Sequence, residues 1–359
     1  MKKIIFYLFI PLIISSQVIS LDEREFIPFN TPPYLTPTFM PANSIVINYC
    51  TKELKTSVVA LGIDSSLRDT IRGKEKTHFH HLVLTNLQPN TKYFYQVLPD
   101  GKVYQFRTFP IQPDSFYFVV IGDTRTDAIT HKAVIERIAN YDFDFILHTG
   151  DMVTTGYRRE DWEEFFNIEC KIITCKLFLS VVGNHEKPFW QYDSLFLLPG
   201  IEDFYFVRFG NTGIICLNTE IDLAGYQKKW LNNKLEYLRN DTTIHWIFVN
   251  LHRPPYSSGS HGSDRKVQQE WCPIFEKYGV DIVFCGHDHA YERTNKINGV
   301  IYIITAGGGA PLYNVGNSEW TAYSEKTHHF CLVKVKPHEI FLQAIKPDGT
   351  VFDSLRLKK

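Results

Sequence analysis

Val280-Asp-Ile-Val-Phe-Cys285 runs directly into Gly286-His287-Asp288-His289. An apolar, β-branched run that stops at a polar motif reads as a buried central strand followed by a ligand-bearing turn. The same arrangement occurs at five other places. Residues 116–121 lead into Gly122-Asp123, and 143–148 into Gly150-Asp151. Residues 177–182 lead into Gly183-Asn184-His185-Glu186, 244–250 into Leu251-His252, and 301–305 into Ala306-Gly307-Gly308-Gly309. A helix-like stretch, 130–140, separates the first two. Strands alternating with helical stretches give an α/β sheet. Functional groups in such sheets gather at the carboxyl ends of the strands. Asp123, Asp151, Asn184, His252, His287 and His289 are therefore expected to converge although they are scattered along the chain.

The preceding residues have another rhythm. Runs at 44–49, 57–63, 78–84, 93–98 and 103–108 are strand-like and separated by turn residues, with no helical periodicity. Leu87-Gln-Pro89-Asn-Thr91-Lys-Tyr93 is the most specific element. The turn delivers Tyr93 to the start of a strand, where its hydroxyl can bond the turn's own backbone, as in a tyrosine corner. This stretch resembles a fibronectin type III domain. Ile111-Gln-Pro113-Asp-Ser reads as the linker. The expected fold is an N-terminal all-β fibronectin III-like sandwich (21–112) followed by a four-layer αββα domain (113–359).

Composition narrows the function. The chain has 359 residues with 44% hydrophobic and 21% charged, a globular balance. Lys+Arg 38 against Asp+Glu 39 leaves a net charge of −1, so no basic field favours nucleic acid, and no nucleic-acid groove is expected. Lys2 and Lys3, the apolar run 4–14 and Val18-Ile19-Ser20 read as a secretory signal peptide over residues 1–20. No later segment is apolar and long enough to span a membrane, so a secreted or periplasmic protein is expected. Seven cysteines form no CxxC pair; Cys170 and Cys175 are spaced to close a small loop.

Two Asp, one Asn and three His suit Fe, Zn or Mn rather than a calcium or thiolate site. Six ligands exceed one tetrahedral ion and suit two ions sharing a carboxylate. Such a pair can clamp an in-line phosphoryl displacement and supply a hydroxide near neutral pH.

From about Phe116 to Gly309 the chain resembles the calcineurin-like metallophosphoesterases. With the N-terminal region it is similar to the purple acid phosphatase branch, notably in Val249-Asn-Leu-His252-Arg-Pro-Pro-Tyr256-Ser-Ser and Gly286-His287-Asp-His289-Ala-Tyr291-Glu292-Arg293. The resemblance implies a first metal on Asp123, Asp151 and His289, and a second on Asp151, Asn184, His252 and His287. It implies that His185 contacts the phosphate and protonates the leaving oxygen, oriented by a neighbouring carboxylate. It also implies a substrate-facing His near His261.

Two positions depart from the pattern. Thr154 stands where purple acid phosphatases carry the metal-binding Tyr, and Tyr157 lies three residues beyond it. Arg125 stands where other members carry a His. The first metal thus lacks its usual fourth ligand, which leaves open a weaker site, a water in the vacant place, or a single-metal protein; a purple colour is not expected. Arg125 itself reads either as a bidentate phosphate ligand or as a surface ion-pair residue. His261 reads as a substrate contact or an exposed loop residue, His148 as a core histidine, and His328 and His329 as structural. The expected activity is an exported phosphoesterase acting on small phosphate monoesters through a binuclear site. A phosphodiesterase or nucleotidase with the same site, and a binding or adhesion protein with weakened turnover, are the alternatives.

Overall fold

The computed structural model describes residues 28–99, 101–200 and 204–359, so the signal-peptide reading of 1–20 lies outside the described residues. Five strands come first: β1 (Tyr34–Pro37), β2 (Ile45–Gly62), β3 (Asp69–Leu84), β4 (Lys92–Val97) and β5 (Val103–Arg107). β2 and β3 are longer than the sequence pattern suggests. Residues 51–56 contain neither Gly nor Pro, so nothing ends the strand after Cys50. The chain bends instead, through register shifts between Cys50 and Lys55 and between Thr56 and Val58.

That bend turns one hairpin into two layers. The first half of β2 pairs with β1 and the end of β3 (Ile45 opposite Leu84). The second half pairs with the start of β3 (Val59 opposite Ile71) and with β4, which pairs with β5. Ile45, Ile47 and Tyr49 from one layer are buried in the same cluster as Val59, Leu61, Tyr95 and Phe106 from the other. This is the expected sandwich, with β1 and the start of β3 as strands absent from the sequence reading. The tyrosine corner is present: Tyr93 Oη accepts the Gln88 N–H at 2.9 Å.

The rest of the chain builds two face-to-face sheets with helices outside. The first holds β6 (Phe116–Ile121), β7 (Phe145–His148) and β8 (Leu177–Ser180). After β8 the chain forms β9 (Tyr205–Phe209), β10 (Thr212–Cys216), β11 (Trp246–Asn250), β12 (Ile282–Cys285), β13 (Tyr291–Thr294), β14 (Ile301–Thr305) and β15 (Thr321–Glu325), which make the second sheet. Then β16 (Phe330–Lys336), β17 (Glu339–Ile345) and β18 (Val351–Lys358) return to the first, in the order β18-β17-β16-β6-β7-β8. The second runs β15-β13-β14-β12-β11-β10-β9. The centres of both are parallel. Phe118 of β6 meets Phe248 of β11 and Phe284 of β12 across the gap, with ring centroids 5.4 and 6.0 Å apart.

Helices α1 (Ala128–Ile138), α2 (Arg159–Ile173) and α3 (Trp190–Leu195) cover the first sheet through Val134, Ile135, Trp162 and Phe165. Helices α4 (Tyr226–Asn240), α5 (Arg265–Glu270) and α6 (Cys272–Lys277) cover the second through Leu231, Leu235 and Phe275. The layers are αββα. Among the described residues no helix is long and apolar enough to cross a membrane. All seven cysteines are free, Cys170 and Cys175 included.

The sandwich and the αββα layers share one core. Leu35 of β1 pairs in parallel with Leu177 of β8. Tyr95 Oη donates to the Thr174 carbonyl at 2.6 Å, and Tyr34 Oη donates to that of Leu195. Phe109 lies against Phe116 at 5.2 Å and Phe209 at 4.9 Å. Phe109→Ala should therefore lower the stability of both parts together, by about 3–5 kcal/mol, in one cooperative denaturant transition. Tryptophan fluorescence and far-ultraviolet circular dichroism would check this. Separate transitions for the N-terminal strands and the remainder would show the junction to be dispensable.

Candidate metal centre

The candidate ligands project from the carboxyl ends of parallel strands on both sheets. Asp123 follows β6, Asp151 follows β7, and His287 follows β12. All three are non-glycine residues with positive φ, at 55°, 56° and 73°. Such conformations persist only where the surroundings enforce them. The motif glycines show part of the enforcement. A Cβ at Gly183 would lie 2.1 Å from Asp151 Oδ1, and one at Gly286 would lie 2.6 Å from Asp123 Oδ2. No side chain fits between these turns and the carboxylates.

Glu186 adds to this enforcement at Asp151. It is fully buried, and its carboxylate accepts the N–H groups of Gly183 (2.6 Å), Asp151 (2.9 Å) and Met152 (2.8 Å). It locks the turn after β7 to the turn after β8. Burial and the neighbouring Asp151 charge push its carboxyl up to about 7, against the pull of the amide donors.

The donors converge as the strand-end pattern requires. His252 donates Nδ1–H to the Thr149 carbonyl at 2.9 Å, which leaves the Nε2 lone pair facing the centre. That nitrogen is 3.1 Å from Asn184 Oδ1 and 3.4 Å from Asp151 Oδ1. His289 donates Nδ1–H to the Pro311 carbonyl at 2.8 Å, and its Nε2 is 3.5 Å from Asp123 Oδ1. Donor atoms of Asp123, Asp151 and His289 lie within 4.8 Å of one another. Ligands bound to one ion at about 2.0–2.2 Å sit roughly 3–3.5 Å apart, so the 3.1, 3.4 and 3.5 Å spacings fit a cation.

The electrostatics agree. Acceptors that face each other this closely need a positive charge between them, either a proton or a metal ion. Burial pulls the His252 imidazole down, but Asp151, Asp123 and Glu220 outweigh it and raise its pKa. Burial opposes ionisation of Asp151, yet His252, His185 and Arg125 together hold it below the usual carboxylate range. Asp123, with fewer cationic neighbours, is raised by burial.

The remaining residues take different places. His287 gives its backbone N–H to Asp123 at 3.1 Å, while its Nε2 accepts from Arg253 Nη1 at 3.1 Å. With Nε2 accepting, the ring proton sits on Nδ1, so His287 offers a lone pair to a metal only when Arg253 gives up Nε2. His185 is not oriented by a carboxylate, as the resemblance implied. Its Nδ1–H donates to the Thr154 carbonyl at 2.7 Å, because the turn after β7 brings that carbonyl across the ring; Nε2 lies 3.9 Å from Asp151 Oδ2. Thr154 Oγ1 contacts Thr126, and Tyr157 is exposed. Arg125 reaches Asp151 and His289. His261 stacks on His287 with centroids 4.4 Å apart, its N–H held by Asp288 Oδ1 at 2.8 Å. His148 binds Gly150 and Thr124 inside the core, and His328 and His329 bind the carbonyls of Gly307 and Thr327.

Tyr313 is a residue the sequence reading missed. It stacks on His289 at 4.2 Å and meets His261 edge-on at 5.2 Å. It sits in a loop with no motif around it, and nothing in the sequence marks it. Arg253 and Glu220, which pair through Nη2 and Oε2 at 3.0 Å, were likewise unassigned, although Arg253 lies within the quoted His252 segment.

Comparison with known proteins adds family information. Residues 116–291 match the calcineurin-like phosphoesterase family, and residues 31–108 match the purple acid phosphatase N-terminal domain. Purple acid phosphatase 18 of Arabidopsis thaliana is 28% identical over 277 residues, covering 68% of this chain and 62% of that protein. An uncharacterized protein of Mycobacterium tuberculosis, Rv2577, is 26% identical over 291 residues, covering 66% of this chain and 54% of that protein. The chain thus spans little more than half the length of these curated relatives. Purple acid phosphatase PPD1 from yellow lupin seeds shares the fold, with a TM-score of 0.78, 19% identity, and coverage of 92% of this chain and 74% of that one.

Glu186→Ala should strand several buried amide groups at a cost of about 1–3 kcal/mol each, whereas Glu186→Gln keeps one acceptor and should lose less. Urea unfolding of the two variants would check this, and equal losses would show that the amide contacts do not brace the turns.

Proposed function

We propose that this chain, which belongs to the calcineurin-like metallophosphoesterases and carries a purple acid phosphatase N-terminal domain, is a metal-dependent hydrolase of small phosphate monoesters. The observation that carries the reading is the position of Asp151. Its Oδ1 faces His252 beside Asn184, and it also belongs to the compact cluster with Asp123 and His289. One carboxylate thus lies between two sets of donors. Asp123, Asp151 and His289 would hold a first ion of Fe, Zn or Mn, and Asp151, Asn184, His252 and His287 a second. Held there, such ions would supply Lewis acidity and a nucleophile at neutral pH.

The protein's own residues do the remainder. The Thr154 carbonyl holds the Nδ1 proton of His185, so the proton exchanged with substrate is the one on Nε2. The His185 side chain is partly exposed beside Asp151, where a leaving oxygen can reach it. His261, stacked on His287 and held through its backbone by Asp288, covers that candidate ligand. Export rests on the pattern of residues 1–20, and the monoester preference rests on the likeness to purple acid phosphatases.

Asp151→Asn should lose most bound metal, read by elemental analysis of dialysed protein, and nearly all p-nitrophenyl phosphate turnover. Retention of wild-type metal content would remove Asp151 as the shared ligand. His185→Ala should keep its metal and lose roughly 10²–10⁴-fold in rate on alkyl phosphates. The loss should be smaller on p-nitrophenyl phosphate, whose leaving group needs little protonation. A loss independent of the leaving group would assign His185 to loop bracing instead.

A further inference from the structure

Arg125 stands two residues beyond Asp123, with its side chain 12% exposed. Its Nε lies 3.3 Å from Asp151 Oδ2, and its Nη2 lies 3.3 Å from His289 Nε2. Nη1 is held by Thr126 Oγ1 at 3.1 Å. The guanidinium therefore spans two of the three residues that would hold the first ion.

Both acceptors have little capacity to spare. His289 has committed Nδ1–H to Pro311, so Nε2 has one in-plane lone pair, which serves either an Arg125 N–H or a cation. Asp151 Oδ1 already accepts the His185 N–H at 3.0 Å and faces His252. Oδ2 is the oxygen left toward the first position, and Arg125 Nε is on it. The contrast with Arg253 is instructive. Arg253 likewise sits on the Nε2 lone pair of His287, but it covers one of four donors where Arg125 covers two of three, and its charge is matched by Glu220, which pairs with it through two nitrogens. Among the described residues, Arg125 pairs with no carboxylate but Asp151.

We propose that Arg125 and a cation in the first position exclude one another, so that the two positions load unequally. The position of Asp151, Asn184, His252 and His287 fills first. The position of Asp123, Asp151 and His289 fills only as the guanidinium is displaced. On this account Arg125 does more than omit a ligand: the first position carries its own built-in competitor. The displaced fork, still tethered two residues from Asp123, then becomes available to phosphate oxygens. The inference rests on the metal-centre reading above.

The test is titration of the metal-stripped full chain with Zn²⁺ or Mn²⁺ by calorimetry and equilibrium dialysis. The wild type should show two apparent affinities more than about tenfold apart. Arg125→Ala should strengthen the weaker by about tenfold or more and leave the tighter unchanged. Arg125→Lys keeps the charge but cannot hold both acceptors, so it should also strengthen the weaker site. Two equal affinities in the wild type, or no change in Arg125→Ala, would overturn the inference and leave the metal centre intact. So would a parallel rise at both sites in Arg125→Ala with Arg125→Lys like the wild type, which is a charge effect alone. Absence of any metal binding in the wild type would overturn the metal-centre reading and this inference with it.

Discussion

The Asp151 carboxylate is the constraint around which the centre is arranged. It is almost fully buried, and a buried charge is tolerated only when it is surrounded by compensating groups. His252, His185 and Arg125 provide them from three other loops. The backbone that carries Asp151 is bent to positive φ, and the Gly183 turn approaches so closely that no side chain could stand there. Glu186 ties these two turns together from beneath. Removing the carboxylate would take away the charge that His252, His185 and Arg125 share.

The two sheets make that convergence possible. β6, β7 and β8 are parallel neighbours, so their outgoing turns lie side by side and present Asp123, Asp151 and Asn184 in one row. β11 and β12 do the same in the facing sheet for His252 and His287. The apolar contact of Phe118 with Phe248 and Phe284 sets the distance between the rows. The N-terminal sandwich extends the first sheet through Leu35 and Leu177 and shares its core, and it carries none of the candidate ligands.

A second set of contacts forms the roof. Asp288, between the two histidines of its motif, holds the His261 N–H, and Glu292 holds Ser258 through its N–H and hydroxyl. The Tyr313 loop joins this one where the Gly316 N–H meets the Ser258 carbonyl at 3.0 Å. Rings from both loops then cover His287 and His289. Acids adjacent to candidate ligands thus position the aromatic wall over them, which links the metal loop to the surface a substrate would meet.

Local chemistry made much of this legible in the sequence. Apolar runs ending in Gly-Asp, Gly-Asn-His-Glu and Gly-His-Asp-His define strands and turns whatever lies around them, and oxygen and imidazole donors have the same metal preferences in any fold. The Tyr93 corner was readable for the same reason, since its hydrogen bond closes over five residues. Contacts made by residues distant in sequence were not readable. The bend that makes two layers of β2 and β3, the Thr154 carbonyl on His185, the Arg253–Glu220 pair and the Tyr313 ring on His289 all depend on how separate loops pack. Arg125 shows the division most clearly. The sequence determined that a guanidinium replaces the usual residue two positions after Asp123. Only the tertiary structure decided that it lies on Asp151 and His289, because a long flexible side chain is directed by the charges that folding brings within its reach.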